Sequence, residues 1–253
     1  MKVLIKLGGA LLDGAESRAR LAAQIAAAAC RTVVVHGGGK QMTRFLDQRG
    51  IESRFVNGLR VTTPETLDAV VKVLAGTVNH ELVAALAAAG SRAVGLSGID
   101  AGIAQAVQMD PELGAVGRVV GSDPALLDLL TANGYLPVVA CMAGDAQGRL
   151  YNVNADQMAV ACASSFRADQ LIFLTDVEGV LDASQRVRAT LDAGECERLV
   201  AEGVATGGMQ AKLNACVSAL RQGVGQVRIA SGAAPEVLPR LLAGEALGTR
   251  LTP

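Results

Sequence analysis

Short apolar runs alternating with longer helical patterns predict an α/β fold, a three-layer αβα sandwich around a central, mainly parallel sheet. Two observations carry this. The runs Val3-Leu4-Ile5, Thr32-Val33-Val34-Val35, Ala93 to Leu96, Leu136 to Ala140, Leu171 to Thr175 and Gln226 to Ala230 are apolar on successive residues, as strands covered on both faces must be. The segments between them repeat apolar residues at helical spacing, and such alternation closes through right-handed crossovers.

In chain order, the first strand turns at Gly8-Gly9 into an amphipathic helix through Leu21 and Ile25. The second ends at His36-Gly37-Gly38-Gly39 and passes into a helical pattern through Met42, Phe45 and Leu46. Further helical patterns cover Pro64 to Ala88, Pro124 to Asn133, Ala155 to Ser165 and Met209 to Gln222. Two segments break the rhythm. Arg54 to Val61, centred on Asn57-Gly58, suits a hairpin with a type I′ turn, and Met142 to Tyr151 reads as another. Each is either a cover over a site or decoration. A boundary near Arg167, where a new strand–turn–helix series begins, divides the chain into 1–166 and 167–253.

Composition excludes several classes. The chain has 253 residues, 51% apolar and 19% charged, with 23 basic against 24 acidic side chains; disorder needs the opposite balance. A net charge of −1 and 2% aromatic residues supply neither the field nor the stacking surface of a nucleic-acid binder. Cys30, Cys141, Cys162, Cys196 and Cys216 are scattered, which fits small buried hydrophobes in a reducing cytosol better than zinc or disulfides. His36 and His80 are too few and too far apart for a metal centre or a triad. Leu21 to Cys30 is read as the longest apolar stretch, about ten residues and too short for a bilayer. Charges at Lys6, Asp13, Glu16, Arg18 and Arg20 rule out a signal peptide. The expectation is a cytoplasmic protein with no membrane and no nucleic-acid partner.

Ligands of open α/β sheets bind beyond the carboxyl ends of the strands. Glycine-bearing turns fall there at Lys6-Leu7-Gly8-Gly9, His36 to Gly39 and Gly95-Leu96-Ser97-Gly98, where backbone N–H groups and helix N-termini favour anions. No dinucleotide or P-loop fingerprint is present. Lys6, between Ile5 and Leu7, is costly to bury without an anion, unless the strand simply reaches solvent there. Lys212 follows Gly207-Gly208 by one helical turn, a second cation or a solvated one. Asn154 suits a helix cap, and Asp156 in the first turn of that helix could fix nearby ammonium groups. Arg60 is either a surface charge or a planar fork for a substrate carboxylate.

Lys6-Leu7-Gly8-Gly9, His36 to Gly39, Asn57-Gly58-Leu59-Arg60-Val61-Thr62, Asn152-Val153-Asn154-Ala155-Asp156, Asp176-Val177-Glu178-Gly179-Val180-Leu181 and Gly207-Gly208-Met209 with Lys212, in that order, resemble the acetylglutamate kinases of the amino-acid kinase superfamily. The resemblance runs nearly the whole chain, to Gly248-Thr249-Arg250 as the last strand. It implies the amino-acid kinase fold and ATP-dependent phosphorylation of the side-chain carboxylate of N-acetyl-L-glutamate, a step of arginine biosynthesis. Mg²⁺ would be bound through the ATP phosphates, with no metal site of the protein's own. It further implies that 1–166 binds the amino acid and dimerises, while 167–253 holds the nucleotide.

Residue by residue, the resemblance assigns Gly38, Gly39, Arg60 and Asn152 to acetylglutamate. Lys6 and Lys212 would stabilise the transferring phosphoryl group, with N–H groups of Gly8 and Gly9 beside it and Asp156 orienting the lysines. Asp176, Val177, Glu178, Gly179, Val180, Leu181, Val204, Ala205 and Thr206 would line the nucleotide. Two positions depart from the pattern: Ile99 where relatives often place lysine, and Ala211 where proline is common. Relatives inhibited by arginine carry a helix before the first strand; with only Met1 before Lys2, the expectation is a homodimer insensitive to arginine. Rivals are a kinase for an N-blocked aminoadipate, a non-catalytic amino-acid sensor and a Rossmann oxidoreductase.

Overall fold

A computed structural model of the protein describes residues 1–252. Its strands are β1 (Lys2–Leu7), β2 (Arg31–His36), β3 (Phe55–Val56), β4 (Leu59–Arg60), β5 (Ala93–Ser97), β6 (Gln105–Gln108), β7 (Val116–Gly121), β8 (Leu136–Ala140), β9 (Met142–Gly144), β10 (Leu150–Val153), β11 (Gln170–Thr175), β12 (Thr190–Leu191), β13 (Gln226–Ser231) and β14 (Thr249–Leu251). The helices are α1 (Ala15–Ala26), α2 (Gly39–Asp47), α3 (Pro64–Val70), α4 (Asn79–Ala88), α5 (Ala125–Ala132), α6 (Ala155–Phe166), α7 (Ala193–Ala201), α8 (Gly207–Arg221) and α9 (Val237–Leu242).

Eight strands form the central sheet in the order β12-β14-β13-β11-β1-β2-β8-β5. Every pairing is parallel except β13 with β14. Five residues of β1, Val3, Leu4, Ile5, Lys6 and Leu7, pair with β11 on one side and with β2 on the other. The strands that follow β1 in sequence and those of the second half thus lie on opposite sides of it, so the carboxyl end of β1 is a topological switch point.

Side chains alternate across a strand, and the contacts of β1 identify the two faces. Lys2 donates from Nζ to Asp128 of α5 and to the Phe166 carbonyl at the end of α6. Lys6, four residues on, shares that face. The opposite face carries α1, tied to α4 by Arg18–Glu81 and to α9 by a Leu238 N–H donated to Gln24. The three layers follow.

The run Pro64–Ala88 is helical throughout and 25 residues long, long and apolar enough to cross a bilayer by length and composition. This corrects the choice of Leu21 to Cys30 as the longest apolar stretch. Val73, Leu74, Val78, Leu82 and Leu86 bury one side of it in the core. Its middle, Val71–Val78, is a π-helix. Thr63 starts the run, its hydroxyl accepting from Thr66 N at 3.2 Å, with Pro64 at the first helical position.

Both expected hairpins form: β3–β4 around Asn57-Gly58, with positive φ at both turn residues, and β9–β10. The sequence reading missed β6 and β7, which join β9 and β10 in a small closed barrel. Four of the cysteines are buried as expected; Cys30 is only partly so.

Gly248 admits β14 to the sheet. Its φ is +69°, and a Cβ there would stand 2.1 Å from the Ile229 carbonyl oxygen and 2.9 Å from Ala230 Cβ. Gly248→Ala is expected to lower the unfolding free energy by about 3 kcal/mol through backbone strain and overpacking. The readout is a lower urea midpoint at unchanged slope; an unchanged midpoint would contradict this packing.

Candidate active site

The turn after β1 and the turn after β2 touch. A Cβ on Gly9 would lie 2.9 Å from Gly39 N and 3.1 Å from Gly38 Cα, so the two backbones approach as closely as only glycine allows. Gly38 precedes α2, and a Cβ on it would strike Leu74 Cδ2 at 2.5 Å. The open N-terminus of α2 is thereby set beside the carboxyl end of β1, with backbone N–H groups and the positive end of the helix dipole turned outward.

Lys6, next to last in β1, lies on the face covered by α6. Its Nζ lies 2.7 Å from Asp156 Oδ1, and Lys212 Nζ of α8 lies 2.9 Å from Asp156 Oδ2. All three residues are buried, at 8% exposure for Lys6, 8% for Asp156 and 7% for Lys212. One carboxylate therefore bridges two ammonium groups from opposite ends of the chain. The Lys212 ammonium also lies 5.2 Å from the centre of the Phe173 ring. Asn154 fixes the carboxylate's backbone: it caps α6, its Oδ1 accepting from Asp156 N at 2.9 Å and from Gln157 N at 3.2 Å. Burial pushes the Asp156 carboxyl pKa up, but the charges and hydrogen bonds of Lys6 and Lys212 outweigh it and hold the group below its ordinary value. The solvated alternatives for both lysines are thus excluded.

Gly8 departs from expectation. Its N–H, expected to face a phosphate, donates to the Leu174 carbonyl at 2.9 Å, continuing the β1–β11 ladder.

A cavity of about 170 Å³ is lined by Gly37, Gly38, Gly39, Arg60, Asn152 and apolar side chains including Met42 and Leu74. Arg60 is no plain surface charge. Its guanidinium donates to Ser53 Oγ, to Thr43 Oγ1 at 2.8 Å and to the Gly39 carbonyl at 3.3 Å, over the Phe55 ring at 4.6 Å. Partial burial lowers its pKa from the free value, opposed by Asp47, and a guanidinium stays charged regardless. Asn152 Nδ2 donates to Thr62 Oγ1 at 3.1 Å. The Asn57-Gly58-Leu59 turn also borders a wider cleft of about 680 Å³ that passes Asp156 and reaches Gly207-Gly208. The first hairpin is therefore a lip over the site.

The residues expected to line a nucleotide follow β11 and precede α8. Asp176 follows β11, its carboxylate accepting from the Thr175 hydroxyl at 3.0 Å. Val177 and Leu181 are exposed, whereas Val180 and Ala205 are buried side chains, so those two positions offer only backbone. Val180 N donates to Thr249 Oγ1 at 2.8 Å, and Gly179 is crowded by Thr249 and Val187. Thr206 precedes α8 in an extended conformation with no side-chain cap bond. Among the described residues no three His, Cys, Asp or Glu side chains group as a cation cage.

Sequence reasoning missed Ser53 and Thr43, partners of Arg60, and gave no role to Thr62, the partner of Asn152, or to His36. His36 is fully buried beneath the glycine turn, hydrogen-bonded to the Gly37 carbonyl and to Asn79.

A sequence profile of the amino acid kinase family matches residues 1–231. The chain belongs to the amino acid kinase family. It is 69% identical over 254 residues to the acetylglutamate kinase of Solibacter usitatus, covering 99% of each chain. It is 46% identical over 246 residues to that of Acidobacterium capsulatum, covering 95% of each. Among solved structures, N-acetylglutamate synthase of Neisseria gonorrhoeae, in complex with coenzyme A and N-acetyl-glutamate, superposes with a TM-score of 0.87 at 26% identity. That match covers all of this chain and 59% of the synthase.

Asp156→Asn keeps the shape but leaves two ammonium groups facing a neutral amide, at a cost on the order of 3 kcal/mol at pH 7. Because the folded pKa is depressed, the carboxylate's contribution is complete above the unfolded value of about 3.9 and is lost as pH falls through the lower folded value. Melting curves of wild type and variant should therefore differ steadily from neutral pH to about pH 4 and converge in stronger acid. A difference that vanished by pH 6 would contradict the bridge.

Proposed function

We propose that the chain transfers the γ-phosphoryl group of ATP to the side-chain carboxylate of N-acetyl-L-glutamate, giving the acyl phosphate and ADP, a step of arginine biosynthesis. The observation that carries this reading is the buried Lys6–Asp156–Lys212 bridge at the sheet's switch point. The names of the relatives and the family membership support it.

The chemistry explains the composition of the site. A glutamate side-chain carboxylate has a pKa of about 4.3 and is ionised at neutral pH, so no general base is needed, and the neutral buried His36 has no proton to move. The obstacle is that two anions must meet. Each unit-charge repulsion at about 4 Å costs roughly 4 kcal/mol at an effective dielectric near 20. Two ammonium groups already in place offset that repulsion, most strongly where charge spreads over the equatorial oxygens in the transition state. ATP enters as its Mg²⁺ complex, the ion neutralising part of the phosphate charge.

In this reading Arg60 and Asn152 orient the acceptor, with the N–H groups of Gly38 and Gly39 beside it, while Gly9 donates to the phosphoryl group. The Asp176 to Leu181 loop and the Val204 to Thr206 turn receive the nucleotide. Residues 1–166 form the acceptor lobe and the contact of a homodimer, and 167–253 the nucleotide lobe.

ADP release should require both acetylglutamate and MgATP. Lys6→Ala and Lys212→Ala should each lower turnover by on the order of 10²- to 10⁴-fold with the fold retained by circular dichroism. Near-normal turnover in both variants would overturn the assignment.

A further inference from the structure

His36 ends β2 with no solvent exposure, and the phosphoryl transfer gives its ring no proton to carry. Its surroundings fix its state. Asn79 Nδ2 faces three acceptors: His36 Nε2 at 3.0 Å, the Val138 carbonyl at 2.9 Å and the Leu96 carbonyl at 3.4 Å. Two carbonyls identify that atom as the amide nitrogen, so Nε2 accepts and the ring proton sits on Nδ1. Nδ1 then donates to the Gly37 carbonyl oxygen at 3.0 Å. Burial holds the imidazole pKa down to about 4, against the Gly37 bond, which raises it, so the ring is neutral at physiological pH.

That bond has a directional consequence. The Gly37–Gly38 peptide is trans, as are all peptides among the described residues, and a trans peptide points its C=O and its N–H in opposite directions. Drawing the Gly37 carbonyl toward the buried ring turns the Gly38 N–H away from it. We propose that His36 and Asn79 are positioning residues that aim the Gly38 amide at the acceptor. This role rests on the assignment of Gly38 to the acceptor.

The placement of Asn79 is costly for the local structure. It is buried at 1% exposure and is the first residue after the π-helical stretch Val71–Val78. A π turn carries more residues than an α turn. In a regular α-helix each residue of register turns the side chain by about 100°, which would swing Asn79 off the ring. The same stretch sets Leu74 and Val78 against Gly38. On the far side, Gly95 makes room: a Cβ there would lie 2.2 Å from Asn79 Oδ1.

Steady-state kinetics on the full chain test the role, with acetylglutamate varied at saturating MgATP and ATP varied at saturating acetylglutamate. An asparagine carboxamide reaches the place of Nδ1, and a glutamine carboxamide that of Nε2. His36→Asn therefore keeps the donor to Gly37 and should hold the acetylglutamate KM within about threefold of wild type, while His36→Gln should raise it about tenfold, one hydrogen bond's worth. The KM for ATP should stay unchanged in both. Gly95→Ala, which leaves both residues in place and displaces the Asn79 amide, should raise the acetylglutamate KM in the same direction. Arg60→Lys is the control, since an ammonium cannot reproduce the planar fork and should raise that KM independently.

A purely structural histidine predicts a lower melting temperature and lower kcat with acceptor KM unmoved. That pattern, or equal effects of His36→Asn and His36→Gln, with Arg60→Lys still raising the KM, overturns the positioning role alone. An acceptor KM unmoved in Arg60→Lys as well removes the acceptor assignment and the role built on it.

Discussion

One carboxylate holding two ammonium groups is the constraint around which this molecule is arranged. Buried side by side, the Lys6 and Lys212 ammonium groups would repel each other without an anion between them. Asp156, at 2.7 and 2.9 Å, offsets that repulsion and fixes both side chains before any ligand arrives. Electrostatic help to a transition state is largest when the groups need no reorganisation at the moment of reaction. The bridge supplies that condition.

Everything nearby serves its position. The parity of β1 sends Lys6 toward α6. The Asn154 cap starts α6 where Asp156 falls in the first turn. Helix α8 packs against α6 with Lys212 turned inward. The glycine turns after β1 and β2 approach until a single Cβ would part them. The sheet contributes the switch point, since β1 lies between β11 and β2, and the loops after these three strands therefore open onto one place.

Much of this was legible in the sequence because it depends on local pattern. A lysine inside an apolar strand implies either a buried cation or a strand that reaches solvent, glycine runs after β-branched runs imply tight strand-to-helix turns, and Asn-x-Asp at a helix start implies a cap. Lys212 was not legible from its own surroundings; only its place in an ordered set of motifs distinguished it from a solvated helix lysine. What escaped depends on contacts distant in sequence. His36 and Asn79 are 43 residues apart, and nothing in either segment announces the other. The π register of Val71–Val78, which sets Leu74 and Val78 against Gly38, has no period in the sequence to mark it. Strands β6 and β7 are half-exposed and lack the apolar runs that betrayed the central sheet. Gly8, expected to donate to a ligand, is held by Leu174 because the ladder extends one residue beyond β1.

The claim that Asp156 acts through the two lysines is tested most directly by a double-mutant cycle in turnover with Asp156→Asn and Lys212→Ala. If the carboxylate's task is to hold the ammonium groups, removing it after Lys212 is gone should cost far less than removing it from the intact protein. The expected coupling is about 2 kcal/mol, more than tenfold in rate. Penalties that simply add would mean that Asp156 works independently of Lys212, and the bridge would then be an accident of packing.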